Sequence, residues 1–171
     1  YALISQHDIA VTNVQPLKTV VGQGYTMNIN VTVANQGDFT ETFDVKIYAN
    51  ETQIATAQCT LTSGTSKTVT IVSNPVNVQY GYYIIRAEAG PVTGETDTAD
   101  NTFVDGRVKV GVPGDANNDR KVDMTDVGII LRAFGTTPAS PNWNPNYDIN
   151  NDNKVDMSDV GIALRNFGKT E

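Results

Sequence analysis

A single cysteine, a single histidine, a single tryptophan and only 12 Lys and Arg in 171 residues set the first limits on this chain. With Cys59 alone there is no internal disulfide, and the zinc patterns built on several cysteines are excluded. Against the 12 basic residues stand 19 Asp and Glu, a formal net charge of −7. Nucleic acids and anionic membrane surfaces are bound by clustered Lys and Arg, so that balance argues against both. Apolar runs are only a few residues long, and nothing is built to insert into a bilayer. The chain opens on Tyr1 rather than Met and shows no leader sequence, which gives the expectation of a mature or excised piece of a longer protein. Its length suits one ordinary domain or two small ones.

What is present falls into two parts with different patterning. Residues 1–110 are rich in Thr and Val and alternate strictly. From Tyr25 to Ala34 the odd positions are Tyr25, Met27, Ile29, Val31 and Val33, while the even ones are mostly polar. A period of two places one strand face in a core and the other in water. The pattern recurs at Ile9–Val14, Phe43–Ala49, Ala55–Leu61, Lys67–Val72, Tyr80–Ala89 and Phe103–Val110, separated by turn signals such as Asn35-Gln36-Gly37, Ser63-Gly64 and Gly90-Pro91. About seven strands with no helix between them predict a two-sheet sandwich rather than a parallel α/β sheet.

At Gly111 the pattern changes. Gly111-Val112-Pro113-Gly114 reads as a linker. Beyond it runs an internal repeat of period 33, in which Asp115–Gly135 and Asp148–Gly168 share 16 of 21 positions. Each copy opens with oxygen-bearing side chains at alternate positions. Asp115, Asn117, Asp119, Asp123 and Asp126 occupy positions 1, 3, 5, 9 and 12 of the first, and Asp148, Asn150, Asp152, Asp156 and Asp159 those of the second. A calcium ion takes six to eight oxygens, and an EF-hand loop supplies them at these positions, with a backbone carbonyl at position 7, here Lys121 and Lys154. Merely solvated acidic loops do not account for the placement: of nine acidic residues in 111–171, eight sit at ligand positions and the ninth is Glu171. Packing four carboxylates around one point is repulsive unless a cation is there. Two Ca²⁺ are therefore expected. Position 6, normally Gly, is Arg120 and Asn153, so the first site is expected to be the weaker or more strained. Val122 and Val155 at position 8 suggest a short β-bridge between the loops.

One helix follows each loop. Val127, Ile130, Leu131 and Phe134 keep the spacing i, i+3, i+4, i+7, as do Val160, Ala163, Leu164 and Phe167, and Gly135 and Gly168 end the helices. No entering helix precedes either loop, because Pro141–Tyr147 is too proline-rich and Lys109–Gly114 reads as strand plus linker.

Two resemblances fit these halves. Asp8-Ile9-Ala10-Val11, the stretch Val31–Gly37, Phe43–Tyr48, Ala99-Asp100-Asn101 and Val108-Lys109-Val110 resemble a CARDB domain, an immunoglobulin-like module of bacterial and archaeal surface proteins. The repeat resembles a type I dockerin over residues 114–169, and Trp143-Asn144-Pro145-Asn146 is similar to the link in dockerins of archaeal surface proteins. Together they imply an all-β immunoglobulin-like sandwich plus a small α-helical dockerin with two EF-hand-like calcium loops. The implied division is a tail over 1–7, a sandwich over 8–110, a linker over 111–114 and a dockerin over 115–171. Dockerins bind cohesin domains in extracellular or cell-surface assemblies of cellulosome type. Carried over residue by residue, the resemblance assigns recognition to Met124, Thr125 and Arg132 in the first copy and to Met157, Ser158 and Arg165 in the second. Many relatives have Ser-Thr where this chain has Met-Thr and Met-Ser, a more apolar contact. Equal spacing in both copies allows two docking orientations; the alternative is that both methionines plug the internal core.

A structural rival is a calcium module that packs on its own sandwich in a surface stalk, with no cohesin. Another is a glycan-binding sandwich with a dockerin appended. Elsewhere the plain readings prevail. Cys59 shares a strand face with Ala55, Ala57 and Leu61 and reads as a buried inert thiol; His7 sits in the tail. Glu95, Asp97 and Asp100 cluster before the last strand, where they hold an ion or simply line a solvated loop. Asn30 and Asn50 head glycosylation sequons, and Trp143 and Tyr147 close the helical core or stack on sugars. Nothing in the sequence supports catalysis.

Overall fold

The computed structural model describes residues 5–171; of the tail 1–7, residues 1–4 lie outside the described residues. Eight strands precede two helices: β1 (Ile9–Pro16), β2 (Val20–Gly22), β3 (Asn28–Asn35), β4 (Glu41–Ala49), β5 (Thr52–Leu61), β6 (Ser66–Val72), β7 (Gly81–Ala89), β8 (Thr102–Gly111), α1 (Met124–Arg132) and α2 (Met157–Arg165). The strands form one sheet of order β1-β3-β6 and another of order β2-β8-β7-β4-β5. Alternation decides which side chains are buried. Ile29, Val31 and Val33 of β3, Val45 and Ile47 of β4, and Ile85, Ala87 and Ala89 of β7 all lie in the core, as period two requires. Cys59 is buried and free.

Contacts divide the chain into two compact units: residues 5–16, 29–73 and 84–107 form the first, and Leu17–Asn28, Asn74–Tyr83 and Val108–Glu171 the second. In the first, β4 pairs antiparallel with β5 from Glu41↔Leu61 to Ala49↔Thr52, around a tip at Asn50. His7 bonds Glu41 (Nδ1 to Oε1, 2.5 Å) and stacks on Phe39 at 4.4 Å, so it is anchored rather than loose.

The second unit holds β2, which alternation missed. Three residues beside Gly22-Gln23-Gly24 are too short to show a period, and the strand exists because it pairs with β8 in parallel, Val20↔Lys109 to Gly22↔Gly111. Gly111 ends β8, and residues 111–114 are buried although their composition reads as a linker. Val112 joins a core made of Val122, Val127, Ile130, Ile149, Val155, Val160 and Ala163, and Tyr25, Trp143 and Tyr147 pack against it. Trp143 and Tyr147 are thus core-closing residues here.

Candidate metal and partner site

Each repeat folds its acidic segment around its own carboxylates. In the first loop, the Asp119 and Arg120 amides donate to Asp115 (3.1 and 2.9 Å), and those of Ala116 and Asn117 donate to Asp126 Oδ1 (2.9 and 3.1 Å). In the second, Asp152 and Asn153 donate to Asp148 (3.0 and 2.9 Å), and Ile149 and Asn150 to Asp159 Oδ1 (2.7 and 3.3 Å). Asn117 and Asn150 each accept from the position-5 amide, Asp119 (2.9 Å) and Asp152 (3.2 Å). The Lys121 and Lys154 amides donate to the carboxylates of Asp119 and Asp152, both at 3.1 Å. Carboxylate oxygens of Asp115, Asp119 and Asp126 lie within 4.8 Å of one another, a hard-oxygen donor set of the kind calcium takes.

The turn requires positive φ twice per loop, at Asn118 (65°) and Arg120 (73°) and at Asn151 (63°) and Asn153 (69°). Position 6 was legible from the missing Gly; position 4 was not, because Asn is tolerated there without a signal.

Position 9 caps the helix. Asp123 accepts from Thr125 N and Asp126 reaches back to Asp123 N; Asp156, Ser158 and Asp159 repeat the box. Those cap bonds hold the Asp123 and Asp156 carboxyls below the usual range, helped by Lys121 and Lys154 beside them at 3.3 and 3.4 Å. Burial pushes Asp115 and Asp148 the other way, penalising the charges that a cation would offset.

Val122 and Val155 do not bridge each other. Val122 pairs with the chain leaving α2 (Val122 N to Lys169 O, 3.0 Å; Gly168 N to Val122 O, 2.8 Å). Val155 pairs with the chain leaving α1 (Gly135 N to Val155 O, 2.8 Å; Val155 N to Thr136 O, 3.0 Å). The exits are available because Gly135 and Gly168 turn the chain back at φ of 81° and 80°. Each loop is thereby locked to the other helix, and the exchange is symmetric.

The helical stripe is only half buried. Val127, Ile130, Val160 and Ala163 face the core, whereas Leu131, Phe134, Leu164 and Phe167 are exposed. Met124 and Met157 are 63% and 60% exposed, so neither plugs the core. Thr125, Arg132, Ser158 and Arg165 are exposed as well.

Two buried lysines stand behind the loops, and sequence reasoning singled out neither. Lys109 Nζ reaches Glu171 Oε1 and Asn118 Oδ1, both at 2.6 Å, with Asp115 Oδ2 at 3.8 Å. Lys18 Nζ donates to Asp148 O at 2.5 Å, and burial pushes its pKa down to about 8. Asn146 Oδ1 accepts from the Thr19 amide (3.0 Å), and Asn151 donates to Asn28 Oδ1 (2.9 Å). Lys109 lies between Val108 and Val110, where alternation alone would have turned it to water.

Comparison with known proteins agrees with both halves. The CARDB family model matches residues 6–105, and the Dockerin type I domain model matches residues 113–165. No curated protein matches the sequence. Among solved structures, a CARDB domain from Pyrococcus furiosus, crystallised in complex with di-metal ions, is 23% identical at a TM-score of 0.51, covering 65% of this chain and 99% of its own. A solution structure of a CARDB domain from the same organism is 24% identical at a TM-score of 0.50, covering 63% of this chain and 97% of its own. At these identities the likeness concerns the sandwich fold.

Proposed function

Since the chain belongs to the CARDB family and carries a type I dockerin domain behind that module, we propose that it is an adaptor whose dockerin binds a cohesin in an extracellular or cell-surface assembly. Both modules are noncatalytic, and dockerin domains bind calcium and mediate calcium-dependent protein–protein contacts. In this reading two Ca²⁺ fill the loops. Asp115, Asn117, Asp119, Asp123 and Asp126 with the Lys121 carbonyl hold one, and Asp148, Asn150, Asp152, Asp156 and Asp159 with the Lys154 carbonyl hold the other. Calcium cancels the repulsion among the carboxylates and fixes the first turn of each helix, which orders the docking face.

The observation that carries the reading is the double exposure of one pattern. Met124, Thr125 and Arg132 on α1 repeat as Met157, Ser158 and Arg165 on α2, all outside the core. Exposed Met with Leu131 or Leu164 gives an adaptable apolar patch beside a fixed positive charge. Either helix can meet the same partner. Immobilised full chain, challenged with a panel of purified cohesins in calcium or chelator, tests this. Capture is expected in calcium alone, kept by Met124→Asp and by Met157→Asp singly and lost in the double variant. Capture that survives chelation or the double variant rejects it.

One set of contacts favours the structural alternative. Residues 17–28 bond to the loop region through Lys18, Thr19 and Asn28, as a calcium-stapled stalk module requires. That reading takes the lead if no cohesin is captured while calcium still raises the melting temperature.

A further inference from the structure

The first unit contains a second concentration of carboxylates, away from the repeat: Asp8 before β1, and Glu95, Asp97 and Asp100 ahead of β8. Most of their oxygens are satisfied internally. Glu95 accepts from the amides of Ile9 (2.8 Å) and Val92 (2.9 Å) and from Asn101 Nδ2 (3.0 Å). Asp97 takes the Ala99 amide at 3.1 Å. Gln36 binds the group together, its amide donating to Asp8 O (2.8 Å) and its side chain to Asp100 Oδ2 (3.1 Å).

Three oxygens are left over. Asp8 Oδ1, Asp100 Oδ1 and Asn101 Oδ1 are buried without a hydrogen-bond partner, and the one other such side-chain atom among the described residues is Thr136 Oγ1. Asp8 is 8% exposed and Asn101 is 6% exposed, so solvent does not serve them. The Asn101 amide orientation is fixed, because Glu95 only accepts and therefore takes the nitrogen, which leaves Oδ1 as the free acceptor. Burial raises the Asp8 carboxyl above its usual range, and the charges of Asp100, Asp97 and Glu95 add to the effect.

Leaving buried acceptors unpaired is costly, and more so when they are charged. A water molecule donates two hydrogen bonds and brings no charge, so it serves two of three acceptors and compensates neither carboxylate. A hard divalent cation offsets the charge of both carboxylates and takes an amide oxygen as a further ligand. We infer that Asp8, Asp100 and Asn101 form a calcium site in the β-sandwich, separate from the two repeat loops, with water and main-chain carbonyls completing the shell. Its place is structural: it ties the start of β1 to the segment that enters β8. With two carboxylates and one amide, an affinity near that of extracellular modules is expected, with Kd of roughly 0.1–1 mM.

Calcium titration of the ¹⁵N-labelled full chain separates this site from the loops, since each amide reports its own surroundings. The amides of Ile9, Val11, Ala99 and Asn101 are expected to shift with a millimolar midpoint, independently of those of Asp119 and Asp152. Asp8→Asn and Asp100→Asn should each weaken the sandwich midpoint at least tenfold and leave the loop midpoints unchanged. Asp8→Asn removes buried repulsion, so in chelator it is expected to melt no lower than the parent chain. Sandwich amides that stay still in excess calcium, or variants that titrate like the parent, overturn the site. Because the loops are read in the same spectra, their behaviour is judged separately.

Discussion

Arg120 and Asn153 occupy the same loop position at nearly the same backbone angle, φ of 73° and 69°, yet they differ in what that angle costs. A non-glycine residue in the left-handed region is disfavoured by about 1–2 kcal/mol, and Asn carries less of that penalty than Arg. Glycine removes the strain but gives back about 0.5–1 kcal/mol of chain entropy. Arg120→Gly is therefore expected to stabilise the second unit by about 0.5–1 kcal/mol. In a domain of this size that raises its melting temperature in calcium by roughly 2–6 °C. Asn153→Gly should leave it within about 1–2 °C. Calorimetry of both variants checks the difference, and equal shifts would mean that Arg120 is not strained. The missing Gly made this position visible in the sequence. The partner of Glu171 was not visible: an acid with no place in the repeat turns out to neutralise Lys109, and no local pattern links residues 62 positions apart.

At the scale of the elements, the helices were legible as helices but not as surfaces. The spacing of Val127, Ile130, Leu131 and Phe134 marks one apolar face, and the fold buries only the first two. Each helix is nine residues long and packs against a small shared core, so side chains one turn further along have nothing to cover them. Glycines test how tightly these elements are set. At Gly114, with φ of 106°, an added Cβ would lie 2.6 Å from Ala163 Cα on α2. Gly114→Ala is expected to cost about 2–4 kcal/mol through strain and overlap together. Gly128 on α1 has open space where a Cβ would go, so Gly128→Ala should add up to about 1 kcal/mol through helix propensity alone. Chemical denaturation in calcium compares the two; a mild effect at Gly114 would mean that residues 111–114 behave as a linker after all.

For the whole molecule, the boundary between patterns in the sequence and the boundary between compact units are different things. Patterning changes at Gly111, but residues 17–28 and 74–83 group with 108–171. Val112, Tyr25, Lys18 and Lys109 all contribute to the second unit. A fragment of residues 113–171 loses these groups, and a core this small has little to spare. It is expected to unfold at a lower temperature than the same unit in the full chain, and to need more calcium to fold. Circular dichroism of both proteins in matched calcium measures this. Coincident melting would show the fragment to be self-sufficient.

Sequence by itself determined whatever depends on local repetition. The strands follow from a period of two, the helices from a period near 3.6, and the calcium loops from oxygens recurring twice at one spacing. Tertiary structure decided what depends on residues far apart in the chain. Strand β2 exists only through β8, each position-8 valine pairs across to the other repeat, and Lys18 and Lys109 are buried because distant loops close over them. The unpaired oxygens of Asp8, Asp100 and Asn101 belong to the same class, since a cluster of acids reads as solvated until the fold removes the water around it. Periodicity encodes which face of an element is apolar, whereas the approach of one element to another is set by the packing of the whole.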